Sequence, residues 1–145
     1  AFRTKITDTS TVGAEEELGV WRYEAGKVLR YVKASALIPG RESCGFDFTV
    51  TTAALMGVQV RAAVGVTDMF AGVAEVTLPS LGFGWVTVYG PATARVTAGL
   101  VPGAALGPGT LTGVLSIAAT CNFNTAAIAL QSGLSAGSAV FISVL

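Results

Sequence analysis

Glycine and proline punctuate this chain so often that no long helix can run through it. Its 145 residues include 18 Gly and 5 Pro. The most apolar stretch, 98–119, is interrupted by Gly99, Pro102, Gly103, Gly107, Pro108, Gly109 and Gly113. Each interior Gly costs a helix about 1 kcal/mol and each Pro about 3 kcal/mol. A membrane-spanning helix needs about 20 uninterrupted apolar residues. The expectation is therefore short extended runs between turns, little or no helix, and no membrane partner.

The runs between the breaks are rich in Val, Thr and aromatic residues, the composition of strands. Residues 18–23 and 28–33 flank the turn Glu24-Ala-Gly-Lys27 and predict a β-hairpin with Trp21 and Tyr23 on one side of its first strand. On the second strand Val28, Arg30 and Val32 oppose Leu29, Tyr31 and Lys33. Further strands are expected over 46–51, 58–64, 70–78 and 83–89, with Pro91 ending the last and a separate strand at 92–98. The final third repeats a Gly/Pro turn followed by an apolar run, at 110–117, 126–130 and 139–145. One helical turn fits 52–57. Strands at this spacing predict an all-β fold, a small β-barrel or β-sandwich, as one domain over 19–145. Residues 1–18 have no period and read as an extended polar N-terminal arm, with Phe2, Arg3, Lys5 and Ile6 as its candidate contacts and Glu15-Glu16-Glu17 as a solvated turn.

Charge is scarce and lopsided. Only 12% of residues are charged, against about 25% in an ordinary soluble domain. Residues 62–145 hold only Asp68, Glu75 and Arg95. So neutral a stretch implies surface that is covered in an assembly. Zero net charge without a basic block argues against nucleic acid. Residues 1–13 lack the basic start and apolar core of a signal peptide, and the initial Ala fits removal of an initiator Met.

Chemistry is hard to find. With no histidine, there is no imidazole base, no Ser-His-Asp or Cys-His arrangement and no His ligand. Cys44 and Cys121 are too far apart in sequence to resemble a zinc site and are expected as buried free thiols. The glycines of 99–113 lack the following Lys and helix of a phosphate loop. No catalytic, cofactor or metal site is expected. What remains are aromatic candidates for recognition, Trp21, Tyr23, Tyr31, Trp85 and Tyr89, since aromatics bury large areas with few rotors.

Three segments carry a resemblance. They are Gly26-Lys-Val-Leu-Arg-Tyr-Val-Lys-Ala34, then Ala71-Gly-Val-Ala74 with Gly84-Trp-Val-Thr-Val-Tyr-Gly90, and the closing Gly133–Leu145. Together they are similar to capsid decoration (cement) proteins of tailed bacteriophages. The resemblance implies a non-enzymatic virion protein, made in the host cytoplasm and sitting on the outer capsid surface. Its partners would be the major capsid protein and further copies of itself, a trimer rather than a dimer. An arm of 18 residues could then reach roughly 60 Å to a neighbour, and its deletion is expected to leave the β body folded. Two alternatives stay open: another virion structural protein (shell, tail or head-fibre subunit), or a carbohydrate-binding or adhesion module.

Overall fold

The structure is a computed structural model that describes residues 2–63, 69–97, 99–109, 111–117, 127–131 and 137–143. It is nearly all β, with one 3-10 turn at Ala53–Leu55. Among the described residues no helix is long and apolar enough to cross a membrane. The expected hairpin is present. Strand β1 (Trp21–Glu24) turns through Ala25 and Gly26 into β2 (Lys27–Ala34), with Trp21 opposite Arg30 and Tyr23 opposite Val28. Both turn residues have positive φ, 55° and 74°, the geometry that matches the twist of a two-residue hairpin.

Four more strands close a ring on β2. These are β3 (Glu42–Phe46), β4 (Gln59–Ala62), β5 (Phe70–Ala74) and β6 (Phe83–Ala94). Pairing runs β2–β4–β3–β5–β6 and returns to β2, giving a closed five-stranded barrel. Val32, Ala34, Cys44, Val60, Val86 and Val88 pack together in one cluster, and Leu29, Tyr31 and Trp85 form another. The period of two divides the sides of β2 and β6 in this way.

Strand β6 runs straight through the proline expected to end it. Its residues 83–89 pair with β2 and its residues 89–94 with β10 (Ser138–Ser143). Arg95 N–H donates to Arg41 O, and Ala139 O accepts from Leu130. With alternation, the N–H position of residue 91 faces away from β10, on the edge where pairing with β2 has already ended. Pro91 therefore removes no ladder bond, the one circumstance in which a strand tolerates it.

Beyond Pro91 the chain builds a second group of strands, β7 (Ala105–Pro108), β8 (Leu115–Ile117) and β9 (Ala127–Ala129), in the order β6–β10–β9–β7–β8. A parallel bridge between Val96 and Leu115 returns β8 to the end of β6, with Leu115 N–H on Arg95 O and Thr97 N–H on Leu115 O. A second ring is thus closed around Ala92, Ala94, Leu106, Leu115, Val140 and Ile142.

Other sequence expectations change. No strand runs over 47–51 where one was expected from 46: the strand here is Glu42–Phe46, and Asp47, accepting from the N–H and hydroxyl of Thr49, turns the chain at its end. The run 70–78 ends as a strand at Ala74, and Leu78 makes only an isolated bridge to Ile38. Cys44 is a buried free thiol, and burial pushes its pKa up to about 12. Cys121 and Asp68 lie outside the described residues.

Gly72 stands at a close backbone crossing in the barrel. Its φ is +150°, and a Cβ there would stand 2.7 Å from Thr87 O. Gly72→Ala is expected to lower stability by about 1–3 kcal/mol, read as a shifted midpoint in guanidinium unfolding; an unchanged midpoint would contradict this packing.

Candidate functional site

Residues 2–20 lack strands, as a polar segment should, but they lie on the barrel instead of extending from it. Trp85 is 1% exposed. Phe2 meets its ring edge-on at a centroid distance of 5.3 Å, and its indole N–H donates to the Thr4 hydroxyl at 3.0 Å. Tyr31, also buried, meets the other side of Trp85 at 5.1 Å. The segment is fastened at several further points. Arg22 donates to Thr4 O and lies over Phe2, with its Cζ 4.8 Å from the ring centroid. Glu15 N–H donates to the Tyr31 hydroxyl, and Ser10 bridges Phe83. The Glu16 carboxylate accepts from the N–H groups of Arg3 and Thr4 and from the Thr4 hydroxyl. Burial opposes its ionisation, but these bonds outweigh it and hold the Glu16 pKa below the ordinary value.

Three expectations change here. The arm is not free to reach a neighbour in this fold, because Trp85 and Tyr31 are too large and apolar to stay bare on the barrel wall. Trp85 and Tyr31 are consequently packing residues, not exposed contacts. Deleting the segment would uncover both rings, so the expectation that the body is indifferent to its loss is revised as well. Of the arm's candidates, Arg3 and Lys5 are exposed, Ile6 is half-buried against Tyr31 and its neighbours, and Phe2 keeps 39% of its surface.

The remaining aromatic candidates sit elsewhere. Trp21 and Tyr23 are exposed on β1, at 49% and 78%. Arg30, opposite Trp21, carries its Cζ 5.5 Å from that ring and 6.0 Å from the Phe46 ring. Its Nε is buried without a hydrogen-bond partner, and burial lowers its pKa from the ordinary value. Phe48, 74% exposed, follows Phe46 at a ring distance of 6.3 Å. Phe46 and Phe48 read in sequence as alternate residues of a strand over 46–51, and the Asp47 turn that exposes Phe48 is not visible in that alternation. Tyr89 packs edge-on against Phe141 at 5.2 Å, on a face of β6, β10 and β9 that also shows Pro91 and Ile128.

The described charges of the second half of the chain, Glu75 and Arg95, are paired within the fold. Glu75 pairs with Lys27 at 2.7 Å and Arg95 with the buried Glu42 at 2.6 Å. Among the described residues no group of three or more His, Cys, Asp or Glu could hold a metal ion.

The fold resembles a solved phage protein. It superposes with a TM-score of 0.55 on a chain described as the head fiber gp8.5 N base in bacteriophage phi29, at 12% sequence identity. The match covers 80% of this chain and 93% of that one. No protein-family model matches the chain, and no curated protein sequence does either. At this identity the likeness concerns the fold.

Two measurements check the geometry above. Thr4→Val keeps the shape but leaves the Trp85 indole N–H buried without an acceptor, and should cost about 1–3 kcal/mol in a denaturant melt followed by tryptophan fluorescence. The second concerns Asp47, which hydrogen bonds from the Thr49 hydroxyl and N–H hold at about 2, below its ordinary 3.8. A carboxylate depressed in the folded state stabilises fully above its unfolded pKa, and that stabilisation is lost as pH falls through the folded one. Stability should therefore drop between about pH 4 and pH 2, and Asp47→Asn should flatten this part of the profile. Parallel acid limbs for the two proteins would contradict the role of Asp47.

Proposed function

We propose that the chain is a structural protein of a phage virion, attached to the outside of the head. The observation that carries this reading is the fold likeness to a head-fibre base, which extends over nearly all of that chain. Two features of this chain support it. No catalytic constellation can be assembled among the described residues. The described charges of residues 62–145 are paired internally, which leaves β-sheet faces suited to burial against other subunits.

The partners in this reading are the major capsid protein and further copies of the chain, with a trimer favoured over a dimer. Two forms of attachment fit. A decoration protein covers the lattice in numbers close to those of the shell subunit, and repetition makes weak contacts add through avidity. A head-fibre base instead carries a fibre that projects from the head. The likeness to a fibre base favours the second form, while the three short sequence segments that resemble decoration proteins favour the first. A glycan-binding platform is less well supported, because two of its five aromatic candidates, Trp85 and Tyr31, are enclosed.

Quantitative mass spectrometry of purified virions tests the proposal. The chain should be present and should be removed by protease that leaves the shell closed. Fibres projecting from the heads in electron micrographs would mark a fibre base, and heads covered without fibres a decoration protein. Absence of the chain from intact virions would overturn the proposal.

A further inference from the structure

The hairpin and the barrel meet at a junction where an arginine stands without a counter-charge. One edge of β2 is shared by two segments laid end to end. Gly19 and Val20 bond to Tyr31, and Val58, just before β4, accepts from Lys33. Where they meet, Gly19 is pressed so closely that a Cβ would come 3.0 Å from Val58 Cγ1 and 3.4 Å from Arg30 Nη2. Arg30 lies at this junction, between the rings of Trp21 and Phe46.

Among the described residues no carboxylate pairs with Arg30. On the adjoining strand and loop Glu24 pairs with Arg22 and Asp47 accepts from Thr49 and Gln59, and Glu17, two residues before Gly19, is exposed. The rim is apolar and open. Trp21, Phe48 and Met69 are 49%, 74% and 48% exposed, and Met69 is tied beside Phe46 by its carbonyl.

We propose that Arg30, flanked by Trp21 and Phe46, is a binding site for a carboxylate carried on an apolar segment of the shell subunit. This rests on the attachment reading above. The guanidinium presents a planar fork that matches a carboxylate in two parallel hydrogen bonds. Aromatic walls lower the local dielectric and strengthen that pairing, and a single Arg among aromatics is a common composition of an interface hot spot. One cation in an apolar rim suits one carboxylate; a phosphodiester backbone requires a row of cations.

The test adds wild-type chain, Arg30→Met and Arg30→Lys to virions stripped of the protein, and to the same virions after their surface carboxylates are amidated. Near-UV circular dichroism establishes that each variant is folded, and Arg30→Lys serves if Arg30→Met is not. Arg30→Met should bind untreated particles about tenfold or more weakly than wild type, with Arg30→Lys between them. On amidated particles wild type should fall to the level of Arg30→Met. Equal binding of wild type and Arg30→Met to untreated particles would overturn the site, as would wild-type binding that ignores amidation. Wild type that binds no particle at all would instead overturn the attachment reading on which the site rests.

Discussion

The structure depends on the obligation of strand β6 to bond along its whole length. A twelve-residue strand is long for a fold of this size, and buried backbone groups left unpaired are costly. The chain meets the obligation by dividing the strand. Its first half takes β2, its second half takes β10, and the exchange falls at Tyr89–Pro91, where the proline has no N–H to leave bare. Gly90 permits the exchange, with φ +106° and so little room that a Cβ would stand 2.7 Å from Gly26 O. Because both rings contain β6, neither is an independent barrel.

Ring closure also explains how so neutral a chain leaves few open sheet edges among its described strands. In their order only β1 and β8 stand at the ends, and the Val96–Leu115 bridge engages β8. That leaves β1, four residues long, with Arg22 and Glu24 paired to each other along it. Shortness and charge are the usual protections of an edge strand. The few charges of the second half follow the same economy: Arg95 reaches the buried Glu42 beside Gly113, where a Cβ would stand 2.5 Å from the carboxylate.

Much of this architecture was legible in the sequence. Alternation and turn residues placed the first hairpin with its facing, because a two-residue turn leaves one possible register. They also marked the strands around Val60, Val73, Val86 and Val140. They failed where a single residue overrode the pattern. Pro91 reads as a stop until the parity of its N–H is known, and Asp47 ends a strand through its own side chain. The N-terminal segment was misread for a different reason. Its anchors, Thr4, Glu16 and Ser10, are polar residues in a stretch without period, and their partners lie up to 81 positions away. Long-range side-chain bonds of this kind leave no local signature.

The same reasoning separates what the aromatic residues do. Trp85 and Tyr31 looked like Trp21 and Tyr23 in sequence, as large rings alternating along strands. What distinguishes them is what lies over them. Residues 2–18 pack on Trp85 and Tyr31, with Phe2 edge-on to Trp85 and Thr4 accepting from its indole N–H, whereas Trp21 and Tyr23 on β1 remain 49% and 78% exposed. Pairing at the strand edges does not decide this, since Tyr89 has neighbours on both edges of β6 and is still 39% exposed. Arg30 opposite Trp21, with no carboxylate paired to it among the described residues, adds a chemical preference to an edge that backbone geometry alone would leave unselective.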